Sequence, residues 1–245
     1  MVIEHVRKAW KAYRNSWMSF VIAELITLII VGIIALIGVG IIIGSIGIST
    51  LRELYTSKEL VSRLLSILPL LGNLGLALIF FIIAGIVWVY LKIGLYGMAS
   101  RSLRGKTKIE TMFKFSKNMG PKGIFASIII GIITFLLFTT LVGGLALIDI
   151  RGSVIGMIIL LLIMILFSLV FPGIVVDKLG AMEAIGISFK IVKKHYFKFF
   201  SLLLFYGVVS FIISFFPIIG SLISVFVISP MMWISLISFY KGNKI

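Results

Sequence analysis

Residues 181–240 read AMEAIGISFKIVKKHYFKFFSLLLFYGVVSFIISFFPIIGSLISVFVISPMMWISLISFY. In the first part, Met182, Ile185, Phe189, Val192 and Tyr196 recur at helical spacing, with Glu183, Lys190, Lys193 and Lys194 on the opposite side. That pattern predicts an amphipathic helix over 181–196. Two uncharged apolar runs follow, 199–216 and 219–239, each about as long as the ~20 residues that cross a bilayer. Between them stands Phe216-Pro217-Ile218-Ile219-Gly220, whose proline and glycine read as a turn. The stretch is an amphipathic helix leading into a membrane hairpin, with Ser229-Pro230 as a kink in its last span.

Working outward, the same order occurs twice more. Residues 2–17 place Val2, Val6, Ala9, Tyr13 and Trp17 on one helical face and Glu4, Arg7, Lys8, Lys11 and Arg14 on the other. A first span, Phe20–Gly44, and a second, Leu74–Met98, come next. Residues 49–66 lie between them, where Thr50-x-x-Glu53 and Thr56-x-x-Glu59 have capping-box spacing and predict short amphipathic helices. The second amphipathic helix covers 109–119, with Ile109, Met112, Phe113, Ser116 and Met119 on its apolar face. Pro121 marks the start of a third span, 122–147. After a turn holding Asp149 and Arg151, a fourth span covers 153–175 and bends near Pro172-Gly173. Glu4, Glu110 and Glu183 each open an amphipathic helix whose basic residues follow, as the helix dipole favours. The expected fold is an all-α integral membrane domain of six transmembrane helices. They form three parallel hairpin repeats, over roughly 2–108, 109–180 and 181–245, each preceded by a cytoplasmic interfacial helix.

Composition agrees. Of 245 residues, 61% are hydrophobic, and mean hydropathy is +1.25, more apolar surface than one soluble core can hide. The continuous apolar runs exclude the alternation of a β-barrel. The run after the basic N-terminus is far longer than a signal-peptide core of ~7–15 residues, so it reads as a retained span. A net charge of +15 would suggest nucleic acid in a soluble protein. Here the cations lie between apolar runs, which assigns them to membrane orientation and anionic headgroups. Segments 1–19, 99–122, 177–198 and 241–245 carry 4, 7, 5 and 2 basic residues, against 3, 1 and 0 in 49–66, 148–152 and 217–220. The positive-inside rule puts both termini in the cytoplasm of a cell-membrane protein.

Several chemistries have no residues to carry them. There is no cysteine, and the two histidines, His5 and His195, lack metal-ligand spacing. No phosphate-binding loop, nucleophile elbow or paired carboxylate set occurs, so neither an enzyme nor a cofactor is expected. The informative charges inside spans are Glu24 and Lys92, which hairpin geometry places in the same membrane half as a candidate intramembrane pair. Asp177-Lys178 reads as an interfacial pair. Candidate anionic-lipid contacts are Arg7, Lys8, Lys11, Arg14, Lys114, Lys117, Lys190, Lys193 and Lys194.

Arg7-Lys8-Ala9-Trp10-Lys11, the Ala184–Phe200 helix entering a span, and Ser229-Pro230 before a span ending in Phe239-Tyr240 carry a resemblance. The plan is similar to uncharacterised six-span membrane protein families of archaea and bacteria. It also resembles the membrane domain fused to some glycerophosphodiester phosphodiesterases. In those fusions catalysis belongs to a separate soluble domain, which these residues do not contain. The hydrolase activity therefore does not carry over, and the resemblance implies a membrane module of unknown role close to lipids. The expected function is a module interacting with lipids or protein partners; the alternative is a small permease or channel with a path between the hairpins.

Overall fold

The computed structural model describes residues 2–55, 60–146 and 150–244, and side-chain surroundings outside 46–70 and 147–150. Every regular element among the described residues is helical. In chain order these are α1 (Val2–Tyr55), α2 (Leu60–Ser102), α3 (Ile109–Leu137), α4 (Gly144–Ala146), α5 (Ile150–Met164), α6 (Val170–Asp177), α7 (Ala181–Lys194), α8 (Tyr196–Ser214), α9 (Pro217–Ile223) and α10 (Ser229–Gly242). Wide π turns join α3 to α4 (Phe138–Gly143) and α9 to α10 (Ser224–Ile228), and a 3-10 turn (Ile165–Phe167) follows α5. Six stretches are long and apolar enough to cross a membrane: Val2–Ser45, Leu71–Ser102, Ile109–Ala146, Arg151–Asp177, Tyr196–Ser214 and Pro217–Gly242.

The separate short helices expected over 49–66 are not seen. The described backbone continues α1 to Tyr55 and begins α2 at Leu60. The Thr56-x-x-Glu59 box, the apolar face through Leu54, Val61, Leu64, Leu65 and Leu68, and Asp149 of the third turn lie outside the described residues or side chains. Pro121 does not separate an interfacial helix from a span, because α3 runs through it unbroken. The carbonyl a proline frees is four residues back, and here that residue, Lys117, is exposed.

The chain divides into two compact units. One comprises residues 1–24 and 89–245; the other comprises residues 25–88. In the smaller unit, Gly38 of α1 closely approaches Ala77, Phe80 and Phe81 of α2, where a side chain would not fit without movement.

The larger unit is built around α10. Trp233 through Tyr240 are all buried, as are Pro230 and Met231. A helix apolar all round fits either an interior or lipid, and here it is buried within the protein. Phe239 stacks near Phe199 of α8 (5.0 Å between ring centroids) and His5 of α1 (5.5 Å). Trp233 meets Tyr96 of α2 at 5.8 Å, and Tyr96 meets Phe171 of α6 at 5.7 Å. Aromatic pairs at such distances contribute about 0.5–1.5 kcal/mol each beyond area burial. Because His5 lies against Ser238 and Phe239, both ends of the described chain share one end of this unit.

The helices expected to be amphipathic bury part of the expected face (Ala9 and Tyr13 in α1, Met112 and Ser116 in α3, Val192 in α7) but turn its largest side chains outward. In α7 the buried residues are Ala181, Ala184, Ser188, Ile191 and Val192, and Met182 is 68% exposed. In the first turns of α1 they are His5, Ala9, Ala12, Tyr13 and Ser16, and Trp17 is 51% exposed. In α3 they are Met112, Ser116, Gly120, Gly123 and Ala126, with Phe113 exposed. Small residues sit at the line of closest helix approach, and larger ones such as Ile185 and Phe189 flank it. The same principle fixes α2 against α3. A Cβ on Gly94 would collide with the Met112 carbonyl, on Gly97 with Phe115, on Gly120 with Tyr90 and on Gly123 with Ile93.

Each break in a span has a partner waiting for it. Pro230 has no N–H for the carbonyl of Phe226, and the Tyr13 hydroxyl donates to that oxygen at 2.9 Å. Between α5 and α6, the Ser188 hydroxyl donates to the Leu166 carbonyl (2.6 Å) and accepts from the Leu169 N–H (3.2 Å). Tyr196 donates to Leu162 at 3.3 Å. Ser16, whose backbone leaves the helical range (φ −136°, ψ 16°), kinks α1 and accepts the Thr107 N–H at 3.0 Å. In the π turn after α3, Thr139 and Thr140 donate back to Phe135 and Leu136.

Two stability outcomes follow from this packing. Gly94→Ala should lower thermal stability in detergent by about 1–3 kcal/mol, because the obstacle is a backbone carbonyl. Gly32→Ala, with open space around it, should leave the unfolding midpoint unchanged or slightly raised. Ser188→Ala strips partners from two backbone groups at once and should cost about 1–3 kcal/mol by the same measurement, while Ser201→Ala, on an exposed position, should cost little.

Candidate functional site

At the end of the larger unit that carries both termini, the chain collects its cations. Arg7, Lys8, Lys11 and Arg14 of α1, Lys114 and Lys117 of α3, and Lys190, Lys193 and Lys194 of α7 are all exposed. Lys8 is tied to Glu4 one turn away at 2.7 Å, an exposed pair of little energetic weight. Aromatic and sulfur side chains stand among these charges. Trp10, Trp17, Phe113, Met182 and Phe197 are all exposed, Phe197 by 82%. His195 lies between α7 and α8 among these cations. Desolvation, and then the charges of Lys198 and Lys194, hold its imidazole below the ordinary value.

Glu24 and Lys92 both belong to this unit. Glu24 is buried, and the two charges lie within electrostatic range of each other. The Lys92 ammonium also stands 5.7 Å from the centroid of the Phe171 ring, a cation–π distance. His5 is not exposed among the cations; its Nδ1 shares a 2.9 Å hydrogen bond with Ser238 Oγ. A polar chain continues nearby, since Ser235 Oγ lies 2.6 Å from the Tyr206 hydroxyl, which also donates to the Met231 carbonyl.

Asp177 and Lys178 do not form the neighbouring pair expected from sequence. Asp177 accepts the Tyr240 hydroxyl (2.7 Å) on one oxygen and the Lys244 ammonium (2.7 Å) on the other. Lys178 ends α6 in the left-handed region (φ 59°, ψ 26°), the one non-glycine residue among those described with positive φ. Its carbonyl accepts Lys122 Nζ at 2.6 Å. Its side chain borders two clefts that Asp177 does not line.

Sequence reading passed over what these clefts gather. The larger, about 530 Å³, is lined by Arg101, Arg104, Lys106, Lys178 and Lys241. A second, of about 370 Å³, shares Arg101, Phe115 and Lys178 with it and adds Lys114 and Glu110. A third joins Lys190 and Lys244 beside Asp177 and Tyr240. The signal available in sequence was only a dense run of cations after α2; nothing local tied it to residues 178 and 241.

No protein-family model matches the chain, and no match was found among curated proteins or solved structures.

Asp177→Ala should lower the unfolding midpoint by the equivalent of about 1–3 kcal/mol, since it leaves the buried Tyr240 hydroxyl without its acceptor. Asp177→Asn keeps an acceptor oxygen and should recover most of that loss, as followed by thermal unfolding in detergent.

Proposed function

We propose that this protein is a membrane module that organises anionic lipid at its cation-bearing end, with that end and both termini on the cytoplasmic side. The observation that carries this reading is the mixture of exposed side chains there. Exposed lysines and arginines alternate with exposed Trp10, Trp17, Phe113, Met182 and Phe197 on α1, α3, α7 and α8. In water such apolar side chains would be left uncovered. At a bilayer interface the aromatic rings sit at headgroup level while the cations meet lipid phosphates. The three helices would then act as a collar. Its charges are contributed by chain segments far apart in sequence, as three hairpin repeats would require.

The Glu24–Lys92 pair takes a structural part in this reading. A buried carboxylate is costly in lipid, and a cation within electrostatic range lowers that cost. The reading assigns no catalytic step and needs no cofactor.

The test compares lipid association of the detergent-solubilised protein by native mass spectrometry, with phosphatidylglycerol against phosphatidylcholine. Phosphatidylglycerol should be preferred, and the preference should shrink as salt is raised. The Lys190→Gln/Lys193→Gln/Lys194→Gln variant should lose about fivefold in association per charge, from ~1 kcal/mol for each basic residue at an anionic surface. Equal retention of the two lipids, or a preference that neither salt nor the triple variant alters, would remove the collar.

A further inference from the structure

The cavity of about 530 Å³ lies where the C-terminal ends of α2, α6 and α10 meet the turn between α2 and α3. Arg101 is in the last turn of α2, Lys178 caps α6 and Lys241 is in the last turn of α10; Arg104 and Lys106 come from the turn. The simplest account of cations in such a place is that they complement helix ends. Each helix C-terminus carries roughly half a negative charge. Three ends therefore offset about 1.5 units of the five positive charges, leaving an excess of about 3.5 before nearby acids are counted.

No carboxylate lines this cavity. Glu110 lines the adjoining cleft with Arg101 and Lys178, and Asp177, held by Tyr240 and Lys244, lies within electrostatic range of Lys241, so these two acids offset the excess only in part. Lys241 is half-buried, and its ammonium donates to the carbonyl and hydroxyl of Ser100, both at 3.3 Å. The cations also differ in reach. Arg101, Arg104, Lys106 and Lys178 are exposed at the rim, whereas Lys241 approaches from within. Phe115 and the buried Val175 supply an apolar wall. Arginine offers a planar fork for phosphate oxygens and lysine a point charge. The volume lies in the range of small-molecule sites and exceeds what a bare ion needs.

We propose that this cavity binds a phosphoanion carrying more than one negative charge, with an organic portion against Phe115 and Val175. The chemistry is a phosphomonoester or diphosphate, whether a lipid headgroup or a free organic phosphate. None of the five cations is among the collar residues Lys190, Lys193 and Lys194, so the inference stands or falls separately from the lipid-organising reading.

The experiment measures saturable binding to the full chain in detergent and in nanodiscs. The probes are inorganic pyrophosphate, glycerol 3-phosphate, and phosphatidic acid against phosphatidylglycerol. At least one doubly charged probe should bind one to one and raise the unfolding temperature. Arg101→Gln/Lys178→Gln should weaken it tenfold or more. Arg104→Gln/Lys106→Gln, at two exposed positions, should weaken it severalfold and guards against misfolding of the first variant. The collar triple variant should leave it unchanged. Stronger binding of phosphatidic acid identifies a lipid source; binding of the soluble probes without it identifies a free phosphate. The proposal is overturned if no doubly charged probe saturates, or if both cavity variants bind as the unmodified chain does.

Discussion

A helix that breaks inside a bilayer frees backbone groups that lipid cannot satisfy, each at a cost of several kcal/mol. The larger unit of this protein depends on how that cost is met. Spans four and six both break, at residues 165–169 and ahead of Pro230. Groups they free are taken by Ser188, Tyr196 and Tyr13. Ser188 and Tyr13 stand on helices that the sequence marks as interfacial. Those helices are thereby fixed components of the bundle: removing one strips partners from a span. The carbonyl that Pro230 frees is already closed by a hydroxyl group of the chain.

That closure explains where the interior is densest. Between lipid-facing helices no hydrophobic driving force operates, because lipid tails are as apolar as leucine. Association must then come from close packing and hydrogen bonds. The glycines at 94, 97, 120 and 123 supply the first, and the hydroxyl partners supply the second. At the end bearing the termini, water is near and burial of Phe20, Phe199, Phe239 and Tyr240 adds the ordinary hydrophobic term. Elsewhere in the unit, Phe135, Leu161, Phe211 and Phe215 remain exposed, as apolar side chains facing lipid do.

The six apolar helices were legible because length and hydropathy report them directly, and the break at Phe216-Pro217 was legible because proline begins α9 there. Helix faces were legible only in part. An amphipathic reading follows large apolar residues, and it led to Ala9, Tyr13, Met112 and Val192, which are buried, but also to Met182, Phe113 and Trp17, which are exposed. Close packing adds Ala12 and Ser16 beside Ala9 in α1 and selects Ala181, Ala184 and Ser188 in α7, at matching intervals. Small residues are nearly neutral on a hydropathy scale, so their pattern stays faint until a neighbouring backbone is seen against them. Nor does sequence distinguish α10 from the other spans, since being apolar all round is equally right for lipid and for an interior. Asp177 went to Tyr240 and Lys244 for a related reason: Lys178 turns away through a left-handed residue that no local pattern announces.

The cations show the same gap between number and place. Orientation in a membrane depends on how many lysines and arginines lie in a loop, and any exposed position serves. It therefore accounts for Arg104 and Lys106 on their turn. It does not account for Lys241, which is half-buried beside Ser100 at the end of the most buried helix. Nor does it account for Lys178 in a backbone conformation that glycine adopts more cheaply. Burial of a cation and a left-handed lysine both cost stability, and a topology signal requires neither. Their convergence on one cavity is a property of the folded end of the bundle. It is there, and not in the count of basic residues, that a specific chemistry has its strongest physical footing.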